Sequence, residues 1–383
     1  MTLLDQLEPV LAPIGEARGL PNAHYISDEI YARERDTVFF KNWAAIGFDH
    51  DAAQAGDAVP VDFMGMPLLL VRTRSGELNV FQNTCRHRGM ILVEAPTRLK
   101  GPIRCPYHSW CYSEMGDLVR TPFIGGLDID SHEAVKPETL SLFKIRSHVW
   151  QGVVFVNISG DAPAFEIAHA DLIARWGEFD QSYYPGGAES QFEMTLASNW
   201  KLAVENYCES YHLPWIHPEL NKISPIDVHY NIDNHPDYSG QGTRNYRQLV
   251  GKNGQTFPDF EGLSGIWDKQ GEYVACFPNI LLGVHRDHAF AMLLIPKGPD
   301  VTHERVSLFY AKADIKTAAW QDMCAENARI WQGVFQEDIG VVEGMQKGRY
   351  GVKFDGGKFS PVMDGPTHNF HKWVATQYLQ NKP

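Results

Sequence analysis

Cysteine is scarce in this chain, with six in 383 residues. That is too few for a disulfide scaffold, and in a reducing compartment a cysteine pattern points instead to metal binding or catalysis. Basic blocks are lacking too. Lys and Arg number 34 against 47 Asp and Glu, for a net charge of −13. Such a balance excludes wrapping nucleic acid or resting on anionic lipid as a main role. Long apolar runs are missing: the strongest, Pro67–Val71 and Ala289–Pro296, fall far short of a membrane span. The first residues, Met-Thr-Leu-Leu-Asp-Gln-Leu-Glu, have no basic region ahead of an apolar core, so a cytoplasmic protein is expected. There is no internal repeat and no low-complexity tract. Neither a P-loop nor a G-x-G-x-x-G opening a helix is found, so the chain itself is not expected to bind a nicotinamide cofactor. What remains is an ordinary soluble composition, 44% hydrophobic and 21% charged, enough to bury a sizeable core in two or three domains.

The text of the chain changes part-way. Residues 1–20 hold a short amphipathic piece (Leu3, Leu4, Leu7, Val10, Leu11) cut by Pro9 and Pro13. From about Trp43 to Asn157 come strand-like runs with turn punctuation: Asp57–Phe63, Met66–Arg72, Leu78–Asn83 and Val149–Asn157. This reads as a small all-β domain, with a boundary near Ser159–Pro163. The second half is mixed. Ala168–Arg175 and Lys201–Tyr211 read as helices, with Pro214 barring continuation of the latter. Glu189–Leu196 reads as a strand. Residues 221–270, rich in Asn, Asp, Gly and Pro, read as long loops. Tyr273–Pro278, Ile280–His285, Ala289–Pro296 and Glu304–Lys312 read as consecutive antiparallel strands, and Lys316–Gln346 as one long helix. The order predicts an α+β domain with a helix against a sheet.

Two constellations carry chemistry. In the first, Cys85-Arg-His87 is followed by Cys105-Pro-Tyr-His108. Two short Cys/His pairs on facing loops make a four-ligand cage. Its physical readings are a structural zinc site with two thiolates and two imidazoles, or a Rieske [2Fe–2S] cluster with one iron on two Cys and the other on two His. The spacing favours the second, because each loop gives one Cys and one His and so bridges both irons. Cys111, Cys208, Cys276 and Cys324 read as buried small hydrophobes. Arg86 and Arg88 flank the ligands, as attractors of an acidic partner or as solvated loop charges.

The second constellation is Glu205-Asn206-Tyr207-Cys208-Glu209-Ser210-Tyr211-His212-Leu213-Pro214-Trp215-Ile216-His217. Glu209 and His212, three apart on the expected helix, share a face. Two imidazoles close in sequence need a distant third ligand. In the long helix, Trp331, Val334, Phe335, Asp338, Val342 and Met345 follow helical spacing as a stripe. Asp338 sits in that stripe and Glu337 about a quarter-turn away, which selects Asp338 as the carboxylate. Two His and one carboxylate are the facial triad of mononuclear non-haem Fe(II), with positions left open for O2 and substrate. Asn206 would shape the O2 side, or, like Glu205, would serve as a helix-surface or supporting group. Phe277–His285 and Phe290–Leu294 would line the substrate cavity, or be plain core.

On these residues the chain resembles the catalytic alpha subunits of the Rieske non-haem iron oxygenases. The stretches Cys85–Gly89 and Cys105–Trp110, the Asn-Tyr-x-Glu-x-Tyr-His-x4-His segment and the Glu-Asp pair near the end of the chain carry the likeness. It implies Cys85 and Cys105 on one iron of the cluster, His87 and His108 on the other, and His212, His217 and Asp338 on the mononuclear iron. Met90 and Tyr107 stand where respiratory Rieske proteins carry a disulfide, which implies a more open, lower-potential cluster. The resemblance further implies a Rieske domain over 40–158. It implies a helix-grip catalytic domain over 1–39 and 159–383, with an antiparallel sheet around a long helix. It makes Glu209 the carboxylate joining the two centres, in contact with His108 of the partner subunit, and so implies a homotrimer. A separate NAD(P)H-dependent reductase, with or without a ferredoxin, would supply electrons.

Glu209, where many ring dioxygenases have Asp, looks more like the branch acting on quaternary amines such as carnitine, choline and betaine. The expected activity is therefore a terminal oxygenase that hydroxylates a small quaternary or methylated amine, by monooxygenation or N-demethylation. The alternative is dihydroxylation of an aromatic acid. From other classes, a Rieske electron carrier would have no use for the triad. A zinc-stabilised binding protein would hold one zinc and no sulfide.

Overall fold

The computed structural model describes residues 6–380. Leu3 and Leu4 of the amphipathic piece lie outside the described residues. Contacts divide the chain into one unit of Met1–Ala45 with Asp161–Pro383 and another of Ile46–Gly160.

The second unit is all β. Its strands are β1 (Ala44–Phe48), β2 (Asp57–Phe63), β3 (Met66–Arg72), β4 (Leu78–Gln82), β5 (Thr97–Arg98), β6 (Ile103–Arg104), β7 (Cys111–Tyr112), β8 (Leu118–Arg120), β9 (Lys144–Trp150) and β10 (Val153–Asn157). A seven-stranded sheet runs β1-β10-β9-β4-β3-β2-β5, and a small sheet runs β6-β7-β8. The run Val149–Asn157 is not one strand. It holds the end of β9 and all of β10, joined at Gln151 and Gly152, both with positive φ. A turn between two extended residues leaves the hydropathy pattern unbroken, so only the Gly marks it. The core of this unit includes Phe81, Ile103, Trp110 and Tyr112, and Cys85 and Cys105 are part of it.

The first unit mixes helices with one sheet. Its helices are α1 (Ala23–Ile26), α2 (Asp28–Glu34), α3 (Phe165–Ala168), α4 (Ala170–Arg175), α5 (Trp200–Tyr207), α6 (Leu213–Ile216), α7 (Pro218–Ile223), α8 (Ala318–Gly348) and α9 (Gly365–Gln380). Its strands are β11 (Tyr184–Pro185), β12 (Gln191–Leu196), β13 (His229–Ile232), β14 (Tyr238–Thr243), β15 (Gly271–Cys276), β16 (Ile280–Val284), β17 (His288–Gly298) and β18 (Val301–Tyr310). The sheet runs β11-β18-β17-β16-β15-β14-β13, with β12 also paired to β18. The long helix is α8, shifted two residues from its expected span.

Part of the expected loop at 221–270 is strand. β14, Tyr-Ser-Gly-Gln-Gly-Thr, is buried throughout. Its glycines are there for close approach: a Cβ on Gly240 would meet the Tyr273 carbonyl oxygen at 2.0 Å, and one on Gly242 the Tyr230 ring at 2.3 Å. α9 is polar in sequence yet mostly buried. The N-terminal segment covers it: Leu20 N–H donates to His371 Nδ1 at 3.0 Å, and the Tyr378 hydroxyl donates to the Ile30 carbonyl at 3.3 Å.

That covering segment contains a titrating weakness. His24 on α1 is 3% exposed and edge-on to Tyr378, with ring centroids 4.8 Å apart. Neither ring nitrogen has a hydrogen-bond partner. Burial, with the nearby Lys201 charge second, lowers its pKa to about 3. Its depressed pKa adds stability that is present above about pH 6.5 and is lost as pH falls toward about 3. At about 1.4 kcal/mol per pH unit, the fold should lose roughly 2 kcal/mol between pH 6.5 and pH 5. His24→Phe should flatten that dependence in urea titrations at the two pH values. An unchanged slope in the variant would show that the pH dependence does not come from His24.

Candidate metal centres and substrate cavity

In the β unit, two loops of matching backbone present the first four residues. Cys85 N–H donates to the Met90 carbonyl at 2.8 Å and Gly89 N–H to the Cys85 carbonyl at 2.9 Å. Cys105 and Trp110, and Ser109 and Cys105, repeat this at 2.8 and 3.1 Å. Gly89 and Ser109, at the same place in each loop, both have positive φ, +70° and +60°. The loops bring His87 and His108 together with ring centroids 4.7 Å apart. Trp110 stacks on His87 and Tyr107 lies over His108. The Tyr112 hydroxyl sits 3.2 Å from Cys85 Sγ and accepts from Arg86 N–H at 3.0 Å.

These residues fit an iron–sulfur cluster. His87 Nδ1 and His108 Nδ1 are buried with no hydrogen-bond partner. Burial raises the Cys85 thiol, so a thiolate there needs a metal beside it. Of the two flanking arginines, Arg86 is structural: its guanidinium lies over the Phe143 ring at 3.9 Å and donates to the Ser141 carbonyl at 2.5 Å. Arg88 is exposed.

In the mixed unit, α5 begins at Asn199, whose side chain accepts from Lys201 N–H. The helix ends at Tyr207, four residues before the expected end. Glu209 and His212 therefore meet across a turn and not along a helix face. The Glu209 carboxylate makes that turn, accepting from the backbone N–H groups of Tyr211 and His212. Pro214 then sits in the first turn of α6, where its missing N–H costs nothing.

That turn, α6 and α8 bring the triad together. Donor atoms of His212, His217 and Asp338 all lie within 4.8 Å of one another. Asp338 Oδ1 is 3.0 Å from His217 Nε2 and 3.6 Å from His212 Nε2. Each imidazole is held from behind by a carboxylate at Nδ1: His212 by Glu209 at 2.6 Å, and His217 by Glu337 at 2.6 Å. Nδ1–H donation to a carboxylate leaves Nε2 free for a metal and fixes the ring. Asp338 Oδ1 is buried and makes no hydrogen bond. Although burial opposes it, the Asp338 and Glu337 charges hold the His217 imidazole above its usual value. The site favours a positive charge, and its donor set suits Fe(II). Glu337, set aside in favour of Asp338, has its own task on the far side of His217. Its signal in the sequence was its adjacency to Asp338.

Glu205 is not at this site. It is buried against the Tyr25 hydroxyl at 2.5 Å, His371 Nε2 at 3.1 Å and Arg349 at 3.5 Å. Asn206 lines the cavity beside the triad. Its aromatic wall is Tyr207, Tyr273, Phe290, Trp331 and Phe335, and Ser224, His229 and Gln241 add polar atoms. Of the expected lining segments, Phe290 contributes here, and Leu281 and Met292 line a smaller adjoining cavity. Phe277 packs on Phe370 and Trp373.

Residues 173–380 match the Ring hydroxylating alpha subunit (catalytic domain) family. The chain belongs to this family. Residues 42–131 match the Rieske [2Fe-2S] domain, so the chain is an oxidoreductase of the Rieske non-haem iron oxygenases, with the domains that carry a [2Fe–2S] cluster and a mononuclear iron. It is 25% identical to the carnitine monooxygenase oxygenase subunit of Escherichia coli (strain K12) over 341 residues, 87% of this chain and 84% of that one. It is 23% identical to the chloroplastic choline monooxygenase of Atriplex hortensis over 378 residues, 97% of this chain and 81% of that one. Its fold is similar to naphthalene 1,2-dioxygenase from Rhodococcus sp., with a TM-score of 0.78, 19% identity and coverage of 100% and 98%. No helix among the described residues is long and apolar enough to cross a membrane.

Proposed function

We propose that this oxygenase hydroxylates a carbon of a small quaternary or methylated amine. The supporting observation is the wall of the cavity beside the triad. Every polar end of its aromatic residues is occupied away from the cavity. The Tyr207 hydroxyl donates to the Leu282 carbonyl at 2.8 Å. The Tyr273 hydroxyl pairs with His285 Nε2 at 3.1 Å, and Trp331 Nε1–H donates to His288 Nε2 at 2.9 Å. What these aromatic residues leave for the substrate is ring carbon. A fully methylated ammonium has no N–H to donate, and aromatic rings attract it through their π-faces. An aromatic acid would need a cation for its carboxylate, and no Lys or Arg lines either cavity. The carnitine and choline monooxygenases among its relatives support the same reading.

Cys85, Cys105, His87 and His108 would hold the cluster, and His212, His217 and Asp338 the iron. Together these centres supply stored electrons and reductive activation of O2. Glu209 and Glu337 keep both imidazole rings oriented with Nε2 toward the metal position. Asn206 borders the open side of that position. The aromatic wall holds the ammonium so that one C–H points at it and excludes water from the reaction. O2, two electrons and two protons give one hydroxyl on the substrate and one water. A hydroxylated N-methyl then leaves as formaldehyde with a proton.

Residues 40–158 would be the electron-storing domain, and 1–39 with 159–383 the oxygen-activating one. We assign Glu209 the link to His108 of the partner subunit, within a homotrimer fed by a separate reductase.

The test is a single turnover. The protein is reduced without oxygen, then given O2 with trimethylammonium compounds or with aromatic acids. Fast reoxidation of the cluster with an oxidised amine product is expected. Fast reoxidation with an arene alone would replace this reading by ring hydroxylation.

A further inference from the structure

Glu304 is a carboxyl where the fold calls for an apolar residue. It lies on an inward position of β18, between the buried Thr302 and Val306. Across the sheet it faces Met194 on β12 and Leu294 on β17. It is 4% exposed, and among the described residues its oxygens have no hydrogen-bond or ion-pair partner. It stands outside the group of donors formed by the triad. With Asn206, Tyr207, Phe335 and Asp338 it lines the smaller cavity. Those four residues also line the larger cavity, so Glu304 opens onto the space beside the triad.

A buried carboxylate is costly unless it is paired. The chain supplies no cation here, since neither cavity has a Lys or Arg wall. We propose that Glu304 receives the cationic head of the substrate, and that this substrate is a quaternary ammonium carrying no carboxylate of its own. The proposal rests on the amine reading above and narrows it. A zwitterion would bring a third carboxylate into a space that already holds Glu304 and Asp338. The remaining polar wall is uncharged and bonded within itself: Ser224 Oγ pairs with His229 Nε2 at 2.9 Å and His229 Nδ1 with Gln241 Oε1 at 2.6 Å, with His229 kept below its usual pKa by burial. It offers a carboxylate no positive charge. Burial, with Asp338 second, pushes the Glu304 carboxyl up to about 8; an ammonium beside it favours the ionised form.

The experiment measures binding to the iron-loaded protein by calorimetry. The probes are choline, its uncharged isostere 3,3-dimethylbutan-1-ol, and glycine betaine. Wild type should prefer choline to the isostere and to betaine. Glu304→Gln should lose at least about 10-fold of the choline preference while keeping its affinity for the isostere. Glu304→Asp, which keeps the charge on a shorter stem, should retain part of it. If wild type prefers choline and Glu304→Gln is unaltered, Glu304 is not the receptor, although the amine reading survives. If wild type binds benzoate and none of the ammonium compounds, the amine reading itself fails.

Discussion

Replacing Asp338 with Ala should empty the mononuclear site and leave the cluster in place. Iron should fall from about three to about two per chain, with two sulfides unchanged and the cluster's visible absorbance intact. The reason is the distribution of charge. His212 and His217 offer neutral nitrogen donors, and Asp338 is the one carboxylate in the group whose donor atoms lie within 4.8 Å. Without it, two imidazoles alone would have to hold a divalent ion. The cluster residues are unaffected because they belong to a unit with its own core. Substrate oxidation should disappear with the iron. Glu337→Gln makes the informative contrast. It removes the charge behind His217 Nδ1, now 2.6 Å away, and leaves all three donors. Its cost should be roughly 10–100-fold in iron affinity, restored by excess Fe(II). Full iron retention in Asp338→Ala would move the third ligand elsewhere.

How much of this was legible in the sequence depended on how local the chemistry is. The cluster residues declare themselves because each loop is a self-contained turn with its ligands two or three residues apart. His212 and His217 stand out by density, and Asp338 by breaking an apolar stripe. Glu337 did not, because a helix position that faces out of the stripe can still reach a ring on a neighbouring turn. The end of α5 was misplaced for a related reason. Glu209 caps the following turn with its own side chain, and that competition between side chain and backbone has no periodic signature. β14 was hidden because its packing uses glycine, which reads as a loop. α9 was hidden because the N-terminal segment, distant in sequence, buries its polar face. Glu304 was only the first residue of a strand already expected, and nothing in the sequence told which face it takes. Its meaning needed the neighbours across the sheet, and those are known only once the register is.

The largest effect on stability should come from Lys201→Met, far from either metal position. Lys201 and Glu34 are both fully buried. Nζ donates to Glu34 Oε1 at 2.5 Å, and Trp200 Nε1–H donates to the other oxygen at 2.9 Å. The ammonium also lies over the rings of Trp200 and Tyr25, at 5.0 and 5.3 Å. Burial lowers the Lys201 pKa despite the partner, which shows how much solvation the pair gives up. Removing the cation strands the Glu34 carboxylate in a dry interior with only neutral donors. Breaking a buried pair in this way costs about 3–5 kcal/mol. Replacing both charges with apolar or neutral groups of similar size costs far less, because no charge is left behind. Lys201→Met should therefore lower the melting transition of the mixed unit sharply in calorimetry, and Lys201→Met with Glu34→Gln should recover most of the loss. A single variant within about 0.5 kcal/mol of wild type would show that the pair is not a buried charge at all. The consequence reaches the chemistry through α5. Lys201 sits in its first turn and Asn206 and Tyr207 in its last, one step before Glu209. α2 thus pins the start of the helix whose end presents the cavity wall and the imidazole-orienting turn. The single variant should accordingly lose iron affinity along with stability, and the double variant should regain both.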